Sequence, residues 1–194
     1  GDVKPAPKNL SVKGKDCAVP EVFYVDPNSN AAVWVRENSA DPRMPAIRDN
    51  IAKQPAGKWF GNWSGDIVTA VGNYVGAATA FNQTPILVAY NIPGRDCGQH
   101  SKGGANSVKK YEAWIGTFAA TLGTRKAVLI LEPDAIPHLN CLSSEAKVAR
   151  LKMLRYAVSQ FKQKAPNAFL YLDAGNSEWL SASVAADRLI LSRS

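Results

Sequence analysis

The stretch that decides the fold runs from residue 85 to residue 131, and it opens with the apolar run Pro85-Ile86-Leu87-Val88-Ala89-Tyr90. A segment of helical periodicity follows and ends at Gly123; its apolar residues are Tyr111, Trp114, Ile115, Phe118 and Leu122. A second apolar run, AVLIL, occupies residues 127–131. Continuous apolar runs are typical of strands covered on both faces, and parallel strands need a crossover of a dozen or more residues. The stretch therefore predicts two parallel strands joined by a helix.

The same alternation extends outward in both directions. Further apolar runs predict strands at residues 22–25, 58–60 and 168–172, and amphipathic segments predict helices at residues 31–37, 66–81, 151–161 and 181–191. Five strand-like segments separated by helices predict an α/β fold, and we favour an incomplete parallel β/α barrel. The alternative is a flavodoxin-like open sheet, which would place a glycine-rich phosphate turn after the first strand. Residues 26–29, DPNS, contain no glycine.

Length and composition indicate one globular domain. The chain has 194 residues, of which 46% are hydrophobic and 20% charged, whereas a closed α/β barrel usually needs about 250 residues. Residues 1–20 contain three prolines and little periodicity, which predicts a linker or extended arm, or else a cloning remnant, ahead of an incomplete barrel domain at 21–194. No run of 18 apolar residues is present, so no membrane partner is expected.

The net charge of +7 raises the possibility of nucleic-acid binding. We expect no nucleic-acid partner, because the basic residues are spread along the chain and lie opposite an apolar stripe between Lys147 and Lys164. The cysteines, Cys17, Cys97 and Cys141, show no C-x-x-C spacing, and only two histidines are present, so no metal and no cofactor are expected. One disulfide in an exported protein and three free thiols in a cytosolic one both remain open.

Three aspartates follow consecutive predicted strands. Asp96 lies in the segment after the strand at 86–90, Asp134 follows the strand at 128–131, and Asp173 follows the strand at 169–172. The carboxyl ends of parallel strands meet at one rim, where function gathers. Carboxylates held together there repel, so the pKa of one rises and it keeps a proton near neutral pH. A protonated carboxyl is what a general acid needs to protonate a glycosidic oxygen.

Aromatic residues near the same rim indicate a sugar substrate. Trp59 lies in a predicted strand, Tyr90 ends another, and Trp179 follows the Asp173 loop. Flat rings cover the apolar faces of pyranose rings and leave the hydroxyls at the ring edge for polar partners. Trp34 and Trp114 lie instead on helical faces, where a place in the core is expected.

Four segments resemble signatures of the family six glycoside hydrolases, the family of cellobiohydrolase II and endoglucanases. They are YNIPGRDCG at residues 90–98, LEPD at 131–134, YLDAG at 171–175 and FYVDP at 23–27. Their order and spacing agree with the family from about residue 21 to residue 190. Each short motif is weak alone, and the four in order are highly specific.

The resemblance implies a distorted, TIM-like parallel β/α barrel that hydrolyses β-1,4-glucosidic bonds of cellulose or a related β-glucan with inversion, endo-type cleavage being slightly favoured. Asp134 is then the general acid, and Asp96 holds the proton on it and helps to order the attacking water. Tyr90 presses on the distorted sugar. Ser101 belongs to a mobile segment that closes over the substrate.

The resemblance also assigns the remaining candidate residues. Trp59 and Trp179 are sugar platforms on either side of the scissile bond, and Asp173 is a substrate-binding carboxylate. Cys97 and Cys141 are then disulfide-bonded. A secreted, extracellular and monomeric enzyme follows, with the polysaccharide as its partner.

Two features depart from the family pattern. Asn176 stands among the substrate-binding residues where the family usually has histidine, and asparagine forms hydrogen bonds but does not titrate. The family also continues for several strands beyond residue 194, so the sequence is expected to hold the N-terminal two-thirds of the catalytic domain and to be poorly soluble and inactive alone. Cys17 matches no disulfide of the family. The alternative function is a non-catalytic carbohydrate-binding remnant or an inactive fragment.

Overall fold

The computed structural model describes residues 22–192 and consists of parallel strands that alternate with helices. The strands are β1 Lys58–Phe60, β2 Ile86–Ala89, β3 Ala127–Leu131 and β4 Ala168–Leu172. The helices are α1 Asn30–Glu37, α2 Met44–Ile47, α3 Ile67–Ala80, α4 Val108–Leu122, α5 Ser144–Lys164 and α6 Ala182–Leu191. Short turns of other helix types occupy Arg48–Ala52, Asp96–Gly98 and Pro137–Cys141.

The sheet explains why the carboxyl ends of successive strands are neighbours. Its order is β1-β2-β3-β4, and every pair is parallel. In a flavodoxin-like sheet the order would reverse at a switch point. The sequential order instead agrees with the predicted fold class, an α/β structure with the strand succession of a β/α barrel.

The helices begin at polar residues that commonly cap helices and that are visible in the sequence. Each of five helices begins after a residue whose side-chain oxygen accepts a backbone N–H of the first turn; these residues are Ser29, Asp66, Ser107, Ser143 and Ser181. Such caps satisfy N–H groups that have no partner within the helix. Gly123 follows α4 with φ +57°, a left-handed conformation that glycine adopts without steric cost. The predicted helices are present; α5 begins seven residues before the predicted segment, and the other ends agree within three residues.

The core lies between the sheet and helices α3, α4 and α5. Phe118 of α4 is fully buried and packs edge-to-face against Phe60 of β1, with ring centroids 5.5 Å apart, and against Phe161 of α5 at 5.6 Å. Aromatic pairs in this geometry contribute beyond the area they bury. This packing fixes the helices behind the sheet and leaves the carboxyl ends of the strands free to carry the site.

Two sequence predictions about the first sixty residues are wrong. The predicted strand at 22–25 is a single parallel bridge between Phe23 and Thr84, directly before β2, because the chain turns away at residues 26–29. Trp34 does not join the core: α1 buries no residue, and the guanidinium of Arg43 lies over the Trp34 ring at 5.7 Å. Trp114 is partly buried and packs against the core, as predicted.

The predicted linker at residues 1–20 and Cys17 lie outside the described residues, so both stay predictions, as does the assignment of 21–194 to one catalytic domain. Between residues 22 and 192 there is no helix long and apolar enough to cross a membrane.

Candidate active site

The carboxyl ends of β2, β3 and β4 bring two of the three predicted aspartates into direct contact. The backbone N–H of Asp134 donates to Oδ1 of Asp173 at 2.8 Å, and the N–H of Gly175 donates to the same oxygen at 2.9 Å. One carboxylate oxygen of Asp173 therefore holds the turn that carries Asp134. The other oxygen takes part in neither bond and keeps its capacity to accept hydrogen bonds.

The surroundings of Asp134 favour its protonated form. Burial raises the pKa of Asp134 above its ordinary value, the neighbouring carboxylates of Asp173 and Asp96 raise the pKa further, and His138 opposes the rise. Desolvation and like charge both disfavour a carboxylate, which is how a carboxyl group is kept available as an acid. Asp134 also has φ +65°, a left-handed conformation rare for residues other than glycine. Such local strain is often found at functional sites.

Asp96 lies on the segment that follows β2, residues 90–104, which we call the β2 loop. Its Oδ2 accepts the backbone N–H of Ser101 at 2.7 Å, so the two predicted site residues are in contact. The β2 loop closes on itself, because the N–H of Gly94 donates to the carbonyl of Gly103 at 3.1 Å. Asp96 is thereby held near Asp134, close enough to affect the pKa of the Asp134 carboxyl.

The predicted aromatic residues surround the same rim. Trp59 packs the edge of its ring against Tyr90, with centroids 5.3 Å apart, and 47% of Trp59 is exposed, whereas Tyr90 is buried at 7%. Trp179 is 51% exposed and stacks on His138 at 5.8 Å. Each tryptophan therefore has part of its surface fixed by a protein neighbour and part open to solvent. Only a small part of Tyr90 remains accessible.

Asn176 lies on the segment that follows β4, residues 173–180, which we call the β4 loop. Its Oδ1 accepts the backbone N–H of Glu178 at 2.9 Å, while its own carbonyl accepts the N–H of Trp179 at 3.0 Å. A side chain that accepts a hydrogen bond two residues along the chain stabilises a turn. Asn176 therefore shapes the turn that presents Trp179.

The disulfide between Cys97 and Cys141 is present, with the Cα atoms 6.0 Å apart. Cys97 lies in the β2 loop, and Cys141 ends the helical turn Pro137–Cys141 that follows β3. The bond therefore joins the segment that carries Asp96 to the segment that follows Asp134.

The sequence reasoning missed four residues that build the site. Arg95 is buried, lies over the rings of Tyr90 and Trp63 at 4.9 and 5.0 Å, and donates to the carbonyl of Ser101 at 2.7 Å. The others, buried within the rim or stacked on its aromatic surface, are Glu132, His138 and Arg150. Glu132 had one available signal, its position between an apolar strand and Asp134.

Within residues 22–192, no group of three or more His, Cys, Asp or Glu side chains is placed to hold a metal ion.

Comparison with known proteins matches this arrangement to one family. Endoglucanase 1 of Streptomyces halstedii is 48% identical over 168 residues, which make up 86% of this chain and 52% of that protein. Endoglucanase A of Thermobispora bispora is also 48% identical, over 169 residues that cover 86% of this chain and 37% of that protein. This chain spans about half the length, or less, of these curated relatives.

A solved structure gives the same result. The endoglucanase Cel6 from Mycobacterium tuberculosis, in complex with methyl-cellobiosyl-4-deoxy-4-thio-β-D-cellobioside, aligns with a TM-score of 0.82 and 36% identity. The alignment covers 88% of this chain and 58% of that one. The profile described as Glycosyl hydrolases family 6 matches residues 19–190. The resemblance predicted from the four motifs is thus confirmed, and this chain belongs to glycosyl hydrolase family 6.

Proposed function

We propose that the whole protein hydrolyses β-1,4-glucosidic bonds in cellulose or a related β-glucan, with inversion at the anomeric carbon. The observation that carries this proposal is the carboxyl group of Asp134, whose pKa is raised by burial and by Asp173 and Asp96. A carboxyl group whose pKa is raised holds its proton to a higher pH than an exposed aspartate does, and it can donate that proton to the glycosidic oxygen of the departing sugar. Endo-type cleavage is favoured, since both relatives compared above are named endoglucanases.

The other carboxylates have distinct roles in the proposed reaction. Asp96, oriented by the N–H of Ser101 at 2.7 Å, helps to keep the proton on Asp134 and to order the attacking water. One oxygen of Asp173 accepts hydrogen bonds from the backbone N–H groups of Asp134 and Gly175, and its second oxygen accepts a hydrogen bond from a sugar hydroxyl. Ser101 belongs to the segment that closes over the bound chain.

The aromatic residues bind the sugar chain on either side of the scissile bond. Trp59 and Trp179 are each about half exposed, and each is supported by one neighbouring ring. A supported ring loses little conformational entropy on binding a pyranose face. Tyr90 contacts the sugar through the small part of its ring that is accessible, and Asn176 contributes by shaping the turn before Trp179.

Export fits this function. The disulfide between Cys97 and Cys141 persists in oxidising compartments, and a polymer such as cellulose has to be degraded outside the cell. We therefore propose that the protein is secreted and acts on the polysaccharide as a monomer.

A second candidate is a carbohydrate-binding protein that no longer catalyses. The observation that favours it is Asn176, whose amide is engaged in a turn where the family usually has a titratable side chain. Retention on cellulose without hydrolysis of any soluble β-glucan would support this candidate.

The experiment that separates the candidates is hydrolysis of carboxymethyl cellulose and cello-oligosaccharides by the whole protein. The configuration of the first product is followed by NMR before mutarotation. We expect turnover with an α-anomeric product. No turnover together with tight cellulose binding would support the second candidate, and a β-anomeric first product would overturn inversion.

A further inference from the structure

Glu132 is a buried carboxyl group that the reaction proposed above does not use. It follows β3 directly, has no exposed surface and adopts φ +47°. Its Oε2 accepts the backbone N–H of Asn91 at 3.0 Å and that of Ile92 at 2.9 Å, and its Oε1 accepts the N–H of Asn91 at 3.1 Å. One side chain therefore satisfies two backbone donors that lie about 40 residues away in the sequence.

These bonds join the two segments that carry the proposed acid and its neighbour. Asn91 and Ile92 lie near the start of the β2 loop, five and four residues before Asp96, and Asp134 lies two residues after Glu132. The backbone N–H of Glu132 also donates to the carbonyl of Ala89 at 2.8 Å. The side chain and the backbone of Glu132 together tie the end of β3 to the end of β2. Asp134 and Asp96 lie on the segments that leave these two strand ends.

The charged groups that face Glu132 support the same connection. Burial raises the pKa of the Glu132 carboxyl, while its bonds from the backbone N–H groups and the guanidinium of Arg95 oppose the rise. Arg150 and Tyr111 also lie close enough to interact with it electrostatically. Arg150 is 1% exposed and donates to the carbonyls of Pro93 and Gly94 at 3.0 and 2.8 Å. The β2 loop is therefore held from within by a carboxyl group on its N–H groups and by a guanidinium on its carbonyls.

A carboxyl group in this position is costly if stability alone is considered. Burying a charge costs several kcal/mol unless it is paired and hydrogen-bonded, and well-packed apolar residues often serve as well or better. Two convergent N–H bonds, in contrast, fix position and direction to an accuracy that apolar packing does not give. The geometry therefore indicates a role in alignment.

We propose that Glu132 is a positioning residue that sets the placement of Asp96 relative to Asp134 by holding the N–H groups of Asn91 and Ile92. The proposal rests on the function proposed above. It implies that a change at Glu132 alters the chemical step while leaving the aromatic sugar platforms in place.

The test is Glu132→Gln in the whole protein, assayed on cello-oligosaccharides well below its melting temperature. Glutamine keeps the length of the side chain but presents an NH₂ group in place of one accepting oxygen, so the N–H of Asn91 loses one of its two acceptors and faces a second donor. We expect kcat to fall by roughly 10²-fold, since a misplacement of about 1 Å costs that much, with KM changed less than threefold. The alkaline limb of the kcat profile moves to lower pH, because Asp96 then raises the pKa of Asp134 less, while Asp173 and His138 act as before.

A matched control is Thr84→Val, which replaces a buried polar side chain by an apolar one of similar shape. Thr84 precedes β2, at the opposite end of the sheet from the site. We expect this control to lower the melting temperature without changing kcat or the pH profile. If Glu132→Gln does not fold, Glu132→Asp is used, which keeps the charge but is one methylene too short. Unchanged kcat and pH profile in a folded Glu132 variant, or failure of both variants to fold, would overturn the proposal. A wild-type protein without turnover would instead overturn the proposed function.

Discussion

The β2 loop and the β4 loop flank the same rim but are held in different ways. The β2 loop is tied to distant parts of the chain by Glu132, by Arg150 and by the disulfide of Cys97. The β4 loop is held mainly by its own turn. Its hydrogen bonds to the β3 segment are both made by Asp173, which accepts the N–H of Asp134 at 2.8 Å and donates its own N–H to the carbonyl of Leu131 at 3.3 Å. The strands that lead into the two loops differ in the same way, since three of the four residues of β2 are buried whereas no residue of β4 is.

The difference indicates that the β2 loop serves the chemical step and that the β4 loop mainly serves sugar binding. Groups that order a water and control a proton need fixed positions, because small displacements cost large factors in rate. A platform for a sugar ring tolerates more freedom, because ring contacts are less directional than hydrogen bonds. We therefore expect changes in the β2 loop to affect stability and the chemical step. Changes in the β4 loop beyond Asp173, at residues 174–180, should affect affinity.

The largest stability effect is expected from removal of the disulfide. The bond closes a separation of 44 residues, for which the chain-entropy model gives about 4 kcal/mol. Cys97→Ser together with Cys141→Ser should lower the free energy of unfolding by that amount in urea titrations. Wild-type protein in reductant serves as the control and should behave in the same way. A loss below about 1 kcal/mol would show that the β2 loop is held by its other contacts alone.

A somewhat smaller effect concerns Glu132 and pH. Burial raises the pKa of Glu132 from 4.5 to about 7, so the folded protein keeps this proton in a pH range where the unfolded chain releases it. Stability should therefore fall as pH rises from about 4.5 to about 7, by up to about 3 kcal/mol for this group, and level off above.

The measurement is the difference in unfolding free energy between wild type and Glu132→Gln across that range. The subtraction removes the other carboxylates, including Asp49, whose pKa is lowered by Arg48 and Lys53. A difference that stays constant from pH 4.5 to pH 7 would show that Glu132 does not hold a proton in the folded state.

The smallest effect is expected in the β4 loop. Trp179→Ala should weaken binding of cello-oligosaccharides by about 1 kcal/mol, roughly fivefold, because one supported ring face is lost. The kcat value and the melting temperature should change little. Phe81→Ala is the control, since Phe81 is 67% exposed but follows α3, at the opposite end of the sheet. A kcat loss as large as that expected for Glu132→Gln would remove the distinction between the two loops.

Local patterns were sufficient to predict most of the fold. Four of the five strands predicted from apolar runs are present, and so are the helices predicted from amphipathic spacing. Both patterns are reliable because each reflects burial of side chains on a defined face. The meeting of Asp134 with Asp173 followed from the rule that carboxyl ends of parallel strands are neighbours. That residues 22–25 form an isolated bridge instead of the predicted strand could not be foreseen in this way, because pairing depends on a partner rather than on propensity.

The burial and the partners of the residues that support the site could not be predicted. Glu132, Arg95 and Arg150 are charged and are usually expected at the surface, yet all three are buried. Their partners are largely backbone groups of the β2 loop, whose directions depend on left-handed residues such as Asp96 and Cys97. Nothing in composition or spacing specifies which carbonyl or N–H a buried charge will meet.

The central claim, that Asp134 protonates the departing sugar, is tested most directly by the leaving-group dependence of Asp134→Asn. In the whole protein this change should lower kcat/KM on cello-oligosaccharides by on the order of 10²–10⁴-fold, the usual contribution of a general acid. A β-cellobioside with a fluoride or dinitrophenolate leaving group needs no proton and should lose far less. An equal loss on both kinds of substrate, with the variant folded and its disulfide intact, would contradict the assignment of Asp134 as the acid.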